Sequence, residues 1–149
     1  MDHSQKAYEL FMQGYNCSQA VFAAFCDITG IDFELAIKLS SSFGGGMGRL
    51  REVCGAVSGM MLVAGALYGY NDPKDSVTKS EHYKRVQTLA YKFQEENGSY
   101  ICKTLLGLDS ASDPNSPQRT NEYYKKRPCA ELVRQAAAIL DDYIKNHDV

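Results

Sequence analysis

The sequence predicts an all-α fold, a compact bundle of about five to seven helices around one buried Gly/Ala-rich central helix. Three observations carry that expectation. Residues 53–68 contain no charge, so as a helix this run is apolar on every side and has to be buried. In most other segments apolar residues return every three or four positions, the period of an amphipathic helix. No segment alternates with the period of two that a half-buried strand needs, and no internal repeat is visible.

The totals suit one helical domain spanning residues 1–149, with residues 109–117 the only linker-like stretch. With 44% hydrophobic residues, 23% charged residues and a formal charge of -2, the chain lacks the basic excess that nucleic acid or an anionic membrane selects. Neither partner is expected. The start, Met1-Asp2-His3-Ser4-Gln5-Lys6, has no apolar signal core, so the expected location is cytoplasmic. Thiols stay reduced there, which makes the five cysteines candidates for metal, cluster or redox chemistry rather than structural disulfides.

Taken in order, residues 4–13 set Ala7, Tyr8, Leu10 and Phe11 on one face of a short helix that Gly14 stops. Asn16 and Gln19 can form a capping box, which puts Cys17 in the first turn of a second helix. Ala20, Val21, Phe22, Phe25 and Ile28 make its apolar side, Cys26 falls mid-helix as a packing residue beside Phe22 and Phe25, and Gly30 ends it. Asp32 can cap a third helix through Leu39. The glycine turn Gly44-Gly45-Gly46-Met47-Gly48 follows.

In the central helix Gly55 and Gly59 are four apart, Ala56 joins them, and Gly65 with Gly69 repeats the interval. Glycine costs about 1 kcal/mol in a helix interior relative to alanine, and close approach of neighbouring backbones is the expected compensation. The same small residues could pack across a homodimer. As a membrane span the uncharged run falls short of the roughly 20 residues a bilayer core needs.

Asn71-Asp72-Pro73 makes a turn, and Asp75 or Ser76 can cap a long helix with Tyr83, Val86, Ala90 and Phe93 on one side. Glu81, Lys84, Lys92, Glu95 and Glu96 form its solvated face, and Asn97-Gly98 ends it. Ser99 stands three residues before Cys102, which places that cysteine in another first turn, ahead of Leu105 and Leu106. Residues 107–118 read as an exposed loop, and Glu122-Tyr123-Tyr124 returns to the surface of the core. Pro128 suits the first position of a last helix and Cys129 the second, with Leu132, Val133, Ala136, Ile139, Leu140 and Tyr143 on its buried face.

Cys17, Cys54, Cys102 and Cys129 therefore all stand at or near helix starts, where unpaired N–H groups and a partial positive charge favour thiolate over thiol. Arg49 and Arg51 precede Cys54, Lys103 follows Cys102, and Lys126 and Arg127 precede Cys129. No two cysteines are separated by two residues, so the local signatures of zinc ribbons, ferredoxins and thioredoxin-like sites are missing.

The chain resembles the C_GCAxxG_C_C redox-active protein family. The resemblance rests on Gly14-Tyr15-Asn16-Cys17-Ser18-Gln19-Ala20, Phe43-Gly44-Gly45-Gly46-Met47-Gly48, the motif from Cys54 to Gly59, Cys102, and Arg127-Pro128-Cys129. The family name writes glycine before its central cysteine, whereas this chain has Val53 there. The resemblance implies a redox role shared by Cys17, Cys54, Cys102 and Cys129, leaves Cys26 outside the pattern, and implies no substrate.

Three functions fit. In the first, the four cysteines hold an iron–sulfur cluster or another metal such as zinc and exchange electrons with a redox partner protein, Gly44, Gly45, Gly46 and Gly55 giving the bound group close backbone approach. The second is metal-free thiol–disulfide exchange with Cys54 as nucleophile. The third is a helical binding or regulatory module with structural zinc or packing cysteines only. A nucleotide site at the glycine turn is not expected, because no strand precedes it and the spacings are wrong. A cysteine–histidine hydrolase has only His82 as a candidate base, and Met60 and Met61 read as core.

Overall fold

The computed structural model describes residues 2–149, with the Lys126 side chain outside the described residues. The elements are α1 (His3–Met12), α2 (Cys17–Ala24), α3 (Cys26–Thr29), α4 (Phe33–Ser40), α5 (Gly44–Met47), α6 (Gly55–Tyr68), α7 (Ser76–Asn97), α8 (Cys102–Leu106), α9 (Asn121–Lys126) and α10 (Cys129–Lys145), with a single 3₁₀ turn at Ser41–Phe43. Six of these helices, α1, α2, α4, α6, α7 and α10, reach eight residues or more. The fold is all-α. Among the described residues the only β pairing is an isolated antiparallel bridge between Val53 and Ile101.

The centre is a pair of helices. The N-terminal part of α6 is buried through Gly55, Ala56, Val57, Gly59, Met60, Val63 and Ala64, and α2 lies against it with Ser18 and residues 20–25 buried. A Cβ on Gly59 would stand 2.8 Å from the Ser18 carbonyl oxygen, and one on Gly55 would stand 3.1 Å from Cys17 Cβ. These two glycines let α2 approach, which answers the cost of keeping them in a helix. The expected repeat at Gly65 and Gly69 does not serve packing: nothing lies within 4 Å of a Cβ at Gly65, because α6 has by then emerged from the core. Gly55 and Gly59 are thus used for packing inside the chain.

Around this pair, α1 and α4 flank α2, and α10 packs on α1, α2, α6 and α7. Cap chemistry sets the starts: Asp2 accepts from the Ser4 and Gln5 amides, Asp32 from Leu35, and Asp75 from Thr78. The long helix α7 turns Phe93 fully and Val86 and Ala90 partly inward as expected, and departs at Tyr83. His82, Leu89 and Phe93 are buried while Tyr83 is exposed, since Tyr83 pairs with Tyr70 at the surface.

The second helix is shorter than its apolar pattern. Phe25 leaves helical geometry at ψ 13 and is fully buried with its ring stacked on His3, 4.2 Å between centroids. Cys26 consequently begins α3 instead of sitting mid-helix, and it packs half-buried against the core edge. His3 is anchored at both ring nitrogens: its Nδ1 lies 2.6 Å from Asp141 and its Nε2 2.9 Å from Asp27, which pins α1 to α10. No helix among the described residues is long and apolar enough to cross a membrane.

Candidate functional site

The glycine turn after α4 is wound in the left-handed region. Gly45 (φ 69°), Gly46 (φ 68°) and Gly48 (φ 59°) accept this readily, but Met47 (φ 71°), Arg49 (φ 68°) and Arg51 (φ 63°) adopt it too, at about 1–2 kcal/mol for each residue with a Cβ. The turn is held by Arg51 N–H on Gly45 O (3.2 Å), Glu52 N–H on Gly46 O (2.9 Å) and Ser112 N–H on Arg49 O (2.9 Å). Strain of this kind persists only where surrounding contacts impose it.

This turn leads into the segments that carry Cys54 and Cys102 and holds them together. The Cys54 N–H donates to Tyr100 O at 2.8 Å, and the Cys102 N–H donates to Glu52 O, so the single antiparallel bridge fixes the two cysteine-bearing segments. Gly46 is required there: a Cβ on it would stand 2.5 Å from Cys102 Cβ and 2.8 Å from Arg51 Cα. Cys54 is the N-cap of α6 and Cys102 the first residue of α8. Both are buried.

The other two cysteines come from opposite sides. The predicted capping box forms, with Asn16 accepting from the Gln19 amide and Gln19 Oε1 accepting from the Asn16 amide, each at 2.9 Å. It sets Cys17 at the first position of α2. Cys129 is also a first residue, of α10, because Pro128 takes the cap position instead of the first helical one. Both are half-buried.

Cys17, Cys54, Cys102 and Cys129 line one cavity of about 270 Å³, together with Gly44, Gly45, Gly46 and Gly55. Cys26 and His82 are not part of it. The glycines have packing reasons for being there, since side chains at Gly44, Gly45 and Gly55 would meet Asn16, Arg49 and Cys17 respectively. Arg49, Arg51, Arg119 and Arg127 also line the cavity, and among the described residues no Asp or Glu does.

The basic residues do not all act where chain order suggested. Arg51 turns away from Cys54 and donates from Nη1 toward Cys102 Sγ at 3.6 Å, while its Nε donates to Ser112 Oγ at 2.9 Å. Lys103 is not among the lining residues. Arg119, which no motif marked, comes from the long loop, stacks over Phe11 at 4.2 Å and donates to the Phe11 and Tyr15 carbonyls.

The four thiols are electrostatically unequal. Burial pushes Cys54 up to about 12, against the pull of the Ala56 and Val57 amides, and burial also raises Cys102 despite Arg51. Cys54, the expected nucleophile, is 4% exposed. Cys129 goes the other way. Hydrogen bonding from Cys17 chiefly, helped by Arg127, Arg51 and Arg119, outweighs its burial and lowers it to about 7. Cys17 keeps its proton for the same reason, held on it by the hydrogen bond to Cys129 and by burial, and sits well above an ordinary thiol.

Among the described residues no three His, Cys, Asp or Glu side chains converge as ready ligands of one metal ion. The chain matches no curated protein and no solved structure. A family described as "Putative redox-active protein (C_GCAxxG_C_C)" does match, over residues 15–143, a span that takes in all four cavity cysteines, and the chain belongs to that family.

Proposed function

We propose that the protein is a thiol–disulfide oxidoreductase in which Cys129 attacks and Cys17 resolves. The observation that carries this reading is placement: Cys17 and Cys129 line one arginine-lined cavity and are half-buried where Cys54 and Cys102 are buried, and Cys129 is the cavity thiol drawn below its ordinary range. An attacking thiol works best with a pKa near ambient pH. The Cys129 thiolate attacks one sulfur of a substrate disulfide, forming a mixed disulfide and releasing the other half as a thiolate. Cys17 then loses its proton and attacks the Cys129 sulfur, releasing the second half. The substrate gains two electrons, one proton from Cys17 and one from solvent, and the protein is left with a Cys17–Cys129 disulfide. A cytoplasmic setting would return that pair to the dithiol form.

The test is to trap the intermediate. With a small disulfide at pH 7, Cys17→Ser is expected to stop as a mixed disulfide on Cys129, read by peptide mass spectrometry. An adduct on Cys54 instead would overturn the assignment.

A second reading is an iron–sulfur cluster or zinc held by Cys17, Cys54, Cys102 and Cys129, which would supply electron transfer with a partner protein or, for zinc, fold stabilisation. It is favoured by four thiols lining one cavity, with arginines to offset the charge of a thiolate-ligated group. It needs the thiols to draw closer than they stand. Iron and acid-labile sulfide in oxygen-free preparations, absent from Cys54→Ser, would favour it over thiol exchange.

A further inference from the structure

The wall that closes the cavity outward comes mostly from a single segment. Of the residues lining the cavity only Gly48, Pro114, Ser116 and Pro117 are exposed, and the last three lie in the stretch 107–120 between α8 and α9, which holds no helix. Loops longer than about 12 residues with no secondary structure are uncommon in compact domains and commonly serve as lids. This one is fastened at two places. At the first, Arg49 Nε donates to the Asp113 carbonyl at 2.6 Å, Ser112 N–H to the Arg49 carbonyl at 2.9 Å, and Arg51 Nε to Ser112 Oγ at 2.9 Å. At the second, Arg119 donates to the Phe11 carbonyl and, at 2.8 Å, to the Tyr15 carbonyl. Between these anchors, among the described residues, 114–118 hydrogen-bond only to near neighbours: Asn115 N–H on Asp113 at 2.9 Å and Thr120 N–H on Gln118 at 3.2 Å. A segment held by so few bonds opens at low local cost.

The second anchor sits beside the redox pair. Tyr15 stands two residues before Cys17, and Arg119 itself lines the cavity with Cys17 and Cys129. A disulfide sets its sulfurs about 2.05 Å apart, closer than two separate thiols pack, so forming one draws Cys17 and Cys129 together. That movement displaces the α1–α2 corner on which the Arg119 fork rests, and hydrogen bonds weaken steeply with misalignment. We propose that residues 113–119 are a redox-controlled lid, latched over the cysteine cavity by Arg119 in the dithiol form and released when the Cys17–Cys129 disulfide forms. This rests on the dithiol reading and names the regulation of its site. The latched form limits access to Cys129, and release opens the new disulfide to a thiol reductant.

Limited subtilisin digestion of the two redox forms tests it. Nicks are located by peptide mass spectrometry, and those at residues 107–120 are normalised to those in the α6–α7 turn, residues 69–75. The disulfide form is made with excess bis(2-hydroxyethyl) disulfide, which is reduced to two thiols as the protein dithiol is oxidised, and its Cys17–Cys129 linkage is confirmed by mass. Loop nicking tracks the population of the open lid. It is expected to run about fivefold or more faster in the disulfide form, the lower end of coupling between linked sites. Arg119→Gln is expected to nick fast in both forms and bring the ratio near one. Arg119→Lys, which keeps the charge but lacks the fork, is expected to fall between. The ratio is taken within each variant, so a change in folded fraction divides out. Equal nicking of the two forms, or a ratio that survives Arg119→Gln, would overturn the lid while leaving thiol exchange standing. Failure of the Cys17–Cys129 disulfide to form would sink the dithiol reading and the lid together.

Discussion

The inner and outer cysteine pairs of the cavity present the same residue type at the same kind of helix position, yet they differ in chemistry. Cys54 and Cys102 are buried, and burial pushes both thiols up; Cys17 and Cys129 are half-buried, and Cys17 with the nearby arginines draws Cys129 down. All four occupy helix starts, so the helix dipole alone does not make a reactive thiolate. Burial outweighs it for the inner pair, and a hydrogen-bond donor with nearby arginines overcomes burial for the outer one.

The sharpest break between the pairs comes from deletion. Cys129→Ser is expected to remove the rapidly alkylated thiol at pH 7, lowering the iodoacetamide rate of the native protein by about a hundredfold, because an ordinary thiol is only a few per cent ionised there and the remaining ones are pushed higher. Cys54→Ser should leave that fast phase in place.

The inner pair should instead fail through packing. Gly46→Ala places a Cβ against Cys102 and Arg51 in backbone that is already left-handed. A loss of about 3 kcal/mol or more is expected from the clash and the backbone penalty together, measured by urea denaturation. A loss below about 1 kcal/mol would show that the turn relaxes easily and that the inner pair is not sealed by it.

A smaller effect tests the donor. Cys17→Ala takes away the leading cause of the low Cys129 value, so Cys129 should move upward and the thiolate fraction at pH 7 should drop. A rise of one unit is about 1.4 kcal/mol, or about tenfold in thiolate below the midpoint. The pH–rate curve for alkylation should shift to higher pH by that amount; an unmoved curve would assign the acidity to the arginines alone. Smallest of all, Gly65→Ala at the emerged end of α6 should leave both pairs alone and gain up to about 1 kcal/mol, since its Cβ meets nothing.

Much of the fold was legible because local chemistry writes it. The Asn16–Gln19 box, the Asp32 and Asp75 caps and the uncharged run at residues 53–68 each led to an observed element. Phe25 was misleading because its pairing with His3 joins residues far apart in the chain and interrupts an apolar pattern that reads as continuous. Gly55 and Gly65 look alike in sequence, and only the placement of α2 separates a packing glycine from an exposed one. At the site, the four cysteines and the glycines were readable as residues, but their roles were not. Arg51 sits three residues before Cys54 and reaches Cys102, while Arg119 arrives from a loop of Asp, Ser and Pro with no periodic signal. Which thiol ionises depends on those contacts, and no spacing encodes them.

The most direct measurement is site-resolved alkylation of the reduced native protein across pH, with each cysteine quantified by peptide mass spectrometry. The account predicts that Cys129 labels first, with its rate rising as pH increases through about 7, and that Cys54 stays unlabelled throughout the neutral range because burial holds it near 12. Labelling of Cys54 ahead of Cys129, or a single common midpoint for all the cavity cysteines at an ordinary thiol value, would contradict it.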